Sequence, residues 1–131
     1  MLKKQVLRQI AEARLTDAQQ LFQAQRYDGA VYLCGYAIEI ALKARICDTL
    51  NWPEFPEKNN EFKDLASFRT HNLDILLRLS GLEAQIKQVH MGDWSIVMTW
   101  DPEARYQPVG HVDSARAQSM IDSVKNLLGV L

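Results

Sequence analysis

Residues 29–42, GAVYLCGYAIEIAL, carry a single charge, Glu39, and Lys43 follows one turn later. A helix that is apolar on nearly every side is stable either inside a membrane or at the centre of a helical bundle. The uncharged run stops at Glu39, well short of the roughly 20 apolar residues that a bilayer-spanning helix needs. The stretch therefore predicts a buried central helix over about residues 27–50, with Asp28 as its cap.

The rest of the chain supplies the helices that surround it. Leu7, Ala11, Leu15, Ala18 and Phe22, joined by Ile10 and Leu21, recur at helical spacing and predict an amphipathic helix over 2–24. Residues 51–70 carry Pro53, Pro56 and the pair Asn59 and Asn60 with no sustained period, which predicts a long loop with at most one short helix. Leu73, Leu76 and Leu77 predict a third helix, ended by Ser80 and Gly81. Leu82, Ile86 and Val89 predict a fourth that continues past Gly92 towards Trp94, Val97 and Met98 and ends at Asp101-Pro102. Asp113 caps a last helix marked by Ala117, Met120, Ile121, Val124, Leu127, Leu128 and Leu131. No strand signal competes. The predicted class is all-α, an antiparallel bundle of four to five helices in one domain spanning 1–131.

Several chemistries lack their signatures. A net charge of −1 excludes a broad basic surface, so any nucleic-acid site must be a local patch. His71, His90 and His111 show no HxxxH arrangement and Cys34 and Cys47 no CxxC, so no metal site is expected. The two cysteines, thirteen positions apart on one helix, are separated by about 20 Å and are expected as reduced core thiols. Without GxxxxGK[ST], GxGxxG or GxSxG, the sequence gives no support to P-loop, dinucleotide or serine-hydrolase chemistry, and no cofactor is expected. The first twenty residues alternate polar and apolar positions unlike a signal peptide, which predicts a cytoplasmic protein without a membrane segment.

The order of RYDGAVYLCGYAIEIALKA at 26–44, THNLDILLRLSG at 70–81 and ARYQP at 104–108, framed by a long first helix and an amphipathic last one, resembles the HEPN domain. The resemblance implies an up-and-down bundle that forms homodimers. It implies one of two roles: an interaction module paired with a small nucleotidyltransferase as toxin and antitoxin, able to bind nucleotide or RNA, or a metal-independent ribonuclease. Ribonucleases of this family carry an Arg and a His four to six residues apart, and Arg105 and His111 meet that spacing. They depart from the pattern in that Tyr106 follows the arginine and Pro108 and Gly110 take the segment off a helix.

The residue chemistry frames the same choice. A histidine near neutral pKa can move a 2′-hydroxyl proton while a guanidinium grips the phosphate, so Arg105 and His111 are the candidate catalytic pair, or else Arg105 is a phosphate-contacting loop residue. Arg69, His71 and Tyr106 are further ligand or phosphate candidates, with Trp94, Trp100 and Tyr106 available for base stacking. His71 is expected to hydrogen-bond at the start of the third helix and His90 to face solvent. Glu39 reads either as a general base in apolar surroundings or as half of a structural ion pair with Lys43, completed by Arg45 or a neighbouring helix, and the second is expected. A homodimer is expected because the central helix is apolar around most of its circumference and Trp94 and Trp100 add apolar area.

Overall fold

The first helix of the chain is entered through a two-residue strand. In a computed structural model describing residues 1–131, β1 (Leu2–Lys3) leads directly into α1 (Lys4–Gln23). Gln25, at a positive φ of 62°, turns the chain into α2 (Tyr27–Thr49). Twelve residues of α2 are buried, spread over neighbouring faces as in Ala30, Val31, Cys34, Ala37, Ile38 and Leu42, because α1, α3 and α6 all pack against it. The remaining elements are β2 (Glu54–Phe55), α3 (Leu73–Ser80), α4 (Glu83–Val89), α5 (Met91–Val97) and α6 (Ser114–Leu128), with 3-10 helices at Asn59–Phe62, Ala66–Phe68 and Pro102–Tyr106. The protein is an all-α bundle around one apolar core that runs from Leu7 to Leu131. No helix is long and apolar enough to cross a membrane.

Local signals account for most helix ends. Asn72 caps α3 by accepting from the Asp74 and Ile75 N–H groups, and Gly81 ends it in the left-handed conformation at φ 79°. Asp113 caps α6 by accepting from Arg116 N–H, and Asp101 caps the Pro102–Tyr106 turn through Glu103 N–H.

Three expectations need correction. The predicted fourth helix is two helices, α4 and α5, separated at His90, whose φ of −124° lies outside the helical region. A small antiparallel ladder, Leu2 opposite Phe55 and Lys3 opposite Glu54, pins the start of the 51–70 segment to the N-terminus. Two-residue strands are too short to leave a periodic signal. Trp94 and Trp100 are 0% and 6% exposed, so the apolar area they bring is consumed inside the protomer and offers nothing to a dimer contact. Trp94 lies in α5, which packs on α6, and Trp100 lies on α2 at Gly35. Cys34 and Cys47 are free and buried.

Candidate functional site

A cavity of about 660 Å³ lies between the first turns of α2 and the segment 99–112 that leads into α6. Asp28 builds it. The sequence suggested a helix cap, but Asp28 sits inside the first turn of α2 and its carboxylate faces the later segment. Oδ2 accepts from Gly110 N–H at 2.6 Å and Oδ1 from Val112 N–H at 3.0 Å. The hydrogen bond from Gly110 is the main reason its carboxyl titrates below the ordinary value, with Val112 and His111 acting in the same direction and burial opposing them.

His111 is held by the same clasp. Its Nδ1 lies 3.0 Å from the Pro108 carbonyl and 3.4 Å from Asp28 Oδ1. A carbonyl only accepts, so Nδ1 carries the proton, and in the neutral ring Nε2 holds the lone pair with no protein partner. Arg105, on the Pro102–Tyr106 turn, lines the same cleft. Its guanidinium donates to the Pro102 carbonyl at 3.4 Å, lies 3.7 Å from Glu103 and stacks 4.8 Å from the centre of the Tyr106 ring. Tyr106 and then Tyr32 raise its pKa further, which leaves a fixed positive charge. Arg26 and Arg116 complete a set of three guanidinium groups on the lining, with Tyr32 beside them.

Glu39 and His71 form a second arrangement on the same helix. The Glu39 side chain is 4% exposed, and its carboxylate lies 3.5 Å from Lys43 Nζ and 2.5 Å from His71 Nδ1. The expected ion pair with Lys43 is present. His71, rather than Arg45, supplies the further contact, so it does not bond at the start of α3, where Asn72 performs the capping. The imidazole itself is 63% exposed and lines a neighbouring pocket of about 490 Å³ together with Asn72, Asp74, Met98 and residues 99–101. Asp28 and Glu39 are eleven residues apart, three helical turns with about 20° to spare, and therefore share one face of α2 at a rise of about 16 Å.

The other candidates are dispersed. Arg69 is exposed and lines neither cavity, and Tyr106, 74% exposed, supports Arg105 from outside the cleft. His90 is half-buried at the α4–α5 junction, 3.9 Å from Asp93, rather than solvent-facing. No three metal-ligating side chains converge. Asp28, Arg26, Arg116 and Tyr32 were not legible as site residues, because the contacts that define the cleft join positions more than eighty residues apart and leave no local pattern.

Compared with protein families, residues 5–54 match the HEPN domain. Over that stretch the chain is similar to HEPN domains. The match covers less than half of the chain: it takes in α1 from its second residue, α2 and the first residue of β2, and with them Asp28, Tyr32, Glu39 and Lys43. It stops before His71, Arg105 and His111, so the HEPN match bears on the α2 side of both sites and leaves the opposite side to geometry. It supports a nucleotide- or RNA-related module in general terms. No curated protein and no solved structure matches the chain.

Proposed function

We propose that this protein binds the phosphates of single-stranded RNA in the cleft between α2 and segment 99–112, as an interaction module rather than a turnover enzyme. The observation that carries this reading is the set Arg26, Arg105 and Arg116 on one cleft of a chain whose net charge is −1. Three guanidinium groups from α2's entry, a 3-10 turn and the first turn of α6 form the kind of local patch that counterion release requires. Asp28 and Asp101 line the same cleft, so three guanidinium groups face two carboxylates and one positive charge is left in excess, with Asp28's oxygens taken up by the Gly110 and Val112 N–H groups.

A ribonuclease is the second reading, and the Asp28–His111 contact favours it: a carboxylate behind Nδ1 fixes the tautomer that leaves Nε2 as a base. Against it, a charge-stabilising cation works best in a water-excluded site, and the Arg105 side chain is 45% exposed. The homodimer and the nucleotidyltransferase partner of a toxin–antitoxin pair belong to the same proposal. They are supported by the HEPN match and by Tyr106 and Val109, exposed apolar side chains beside the cleft.

Fluorescence anisotropy with a labelled single-stranded RNA across a salt series tests the binding. Arg105→Ala should weaken it and reduce the salt slope by about one. Unchanged affinity and slope in both Arg105→Ala and Arg116→Ala would remove the cleft as the site. Incubation of the same RNA with a chelator should leave it intact, whereas products with 2′,3′-cyclic phosphate ends, lost in His111→Ala, would establish the ribonuclease instead. Light scattering over a concentration series and co-purification with a neighbouring nucleotidyltransferase test the assembly.

A further inference from the structure

We infer that the pocket over His71 is a nucleobase subsite, selective for guanine, adjoining the phosphate cleft, an inference that rests on the reading of that cleft given above. The two cavities share a wall: Thr99, Trp100 and Asp101 line both, so a ligand gripped at Arg105 has the second pocket within reach across three residues.

The holder of His71 is buried and its head is open. Glu39, 4% exposed and paired with Lys43, fixes Nδ1 at 2.5 Å, while the ring, 63% exposed, presents Nε2 with no protein partner. A carboxylate accepts, so Nδ1 is the donor, and Nε2 of the neutral ring is an acceptor. Asp101 adds a second acceptor, since Oδ1 takes Glu103 N–H at 2.9 Å and Oδ2 has no partner. Asp74 is engaged by Arg78 and Lys87.

No lysine or arginine lines this pocket, so it repels phosphate and suits a group rich in N–H donors. Met98, 46% exposed, supplies apolar surface for the face of a ring. Guanine carries two adjacent donors, N1–H and the 2-amino group, on its Watson–Crick edge. Uracil carries one N–H between two carbonyls, which a carboxylate repels. The cationic cleft and the acceptor-lined pocket thus divide one nucleotide between them, phosphate in the first and base in the second.

The test uses the full chain and three labelled single-stranded RNA octamers: all uridine, uridine with one central guanosine, and uridine with one central inosine, which lacks the 2-amino group. The guanosine octamer should bind about tenfold more tightly than the uridine one, with inosine losing part of that gain. Asp101→Asn keeps the Oδ1 cap and replaces the free acceptor by an N–H donor, so it should bring the guanosine octamer down to the affinity of the uridine one. Should that variant melt early, the inosine comparison reads the same contact on the wild type. Equal, salt-sensitive binding of all three octamers would overturn the base subsite and leave the phosphate cleft standing. No binding of any would overturn both. Equal binding together with Asp101-dependent capture of an arginine-rich peptide would overturn it in favour of a protein side chain.

Discussion

Trp100 lies directly on the bare backbone of Gly35: a Cβ at that position would sit 2.0 Å from the indole Cε2. The contact seats the segment that carries Arg105 and His111 on the middle of α2. Gly35→Ala should therefore lower stability by about 1–3 kcal/mol through overpacking, although alanine is the better helix former. It should also weaken RNA binding more than an exposed control such as Gly92→Ala, around which a Cβ meets nothing. Thermal melts and anisotropy check both, and a Gly35→Ala protein that melts and binds like wild type would mean the indole has room to move.

Asp28 joins α2 to Gly110 and Val112 by charge-assisted hydrogen bonds. Asp28→Ala should cost about 2–3 kcal/mol by leaving those N–H groups without their carboxylate, and Asp28→Asn less. The pH dependence has a definite sign. The native pKa is lowered, so the carboxylate's contribution is complete above the unfolded value near 3.9 and is lost as pH falls through the native one. Denaturant titrations at pH 6 and in steps below pH 4 should show the wild-type advantage over Asp28→Asn shrinking towards acid, and a constant gap would contradict the clasp.

Glu39 is the buried member of a trio with Lys43 and His71. Glu39→Ala should destabilise by about 3 kcal/mol, because Lys43, only 17% exposed, is left without its counter-charge. Glu39→Gln retains an acceptor for His71 and should cost less. Equal wild-type melting of both variants would show that the side chain is solvated.

The cysteine thiols offer a probe of opening. Burial pushes Cys34 up to about 12 and raises Cys47 as well, so at pH 8 neither is a thiolate. A thiol reagent should label both only as fast as the bundle unfolds, with Cys34 slowed most. Immediate labelling of Cys34 in native buffer would contradict its burial.

What the sequence made legible was whatever repeats locally. The 3.6-residue period marked α1, α3 and α6 and the apolar run marked α2, and the cap at Asp113 and the stop at Gly81 were readable because each acts within three residues, whereas Asp101 was legible only as a helix end and not as the cap of the turn that follows it. Glu39 and Lys43 were paired correctly for the same reason, four apart on one helix. Contacts between distant residues were not readable. Asp28 has the composition of a cap and serves instead as a tether across more than eighty residues, and His71 stands beside a cap while bonding to α2. The tryptophans look like interface by size alone, yet Gly35 and the α5–α6 packing take them inside. Arg105 and His111 were proposed together from spacing and do line one cleft, but the arginines opposite them carry no motif.

Because Asp28 and Glu39 lie on one face of α2, the helix acts as a ruler for the two histidines, His71 bonded directly to Glu39 and His111 set on the segment that Asp28 clasps through Gly110 and Val112. Loops around the sites can lengthen without altering that measure. A single residue inserted between positions 28 and 39 would rotate one acid by about 100° relative to the other and turn its histidine out of line. Variation among chains built on this plan is therefore expected in the 51–70 loop, while the interval inside α2 tolerates substitution but no change of length.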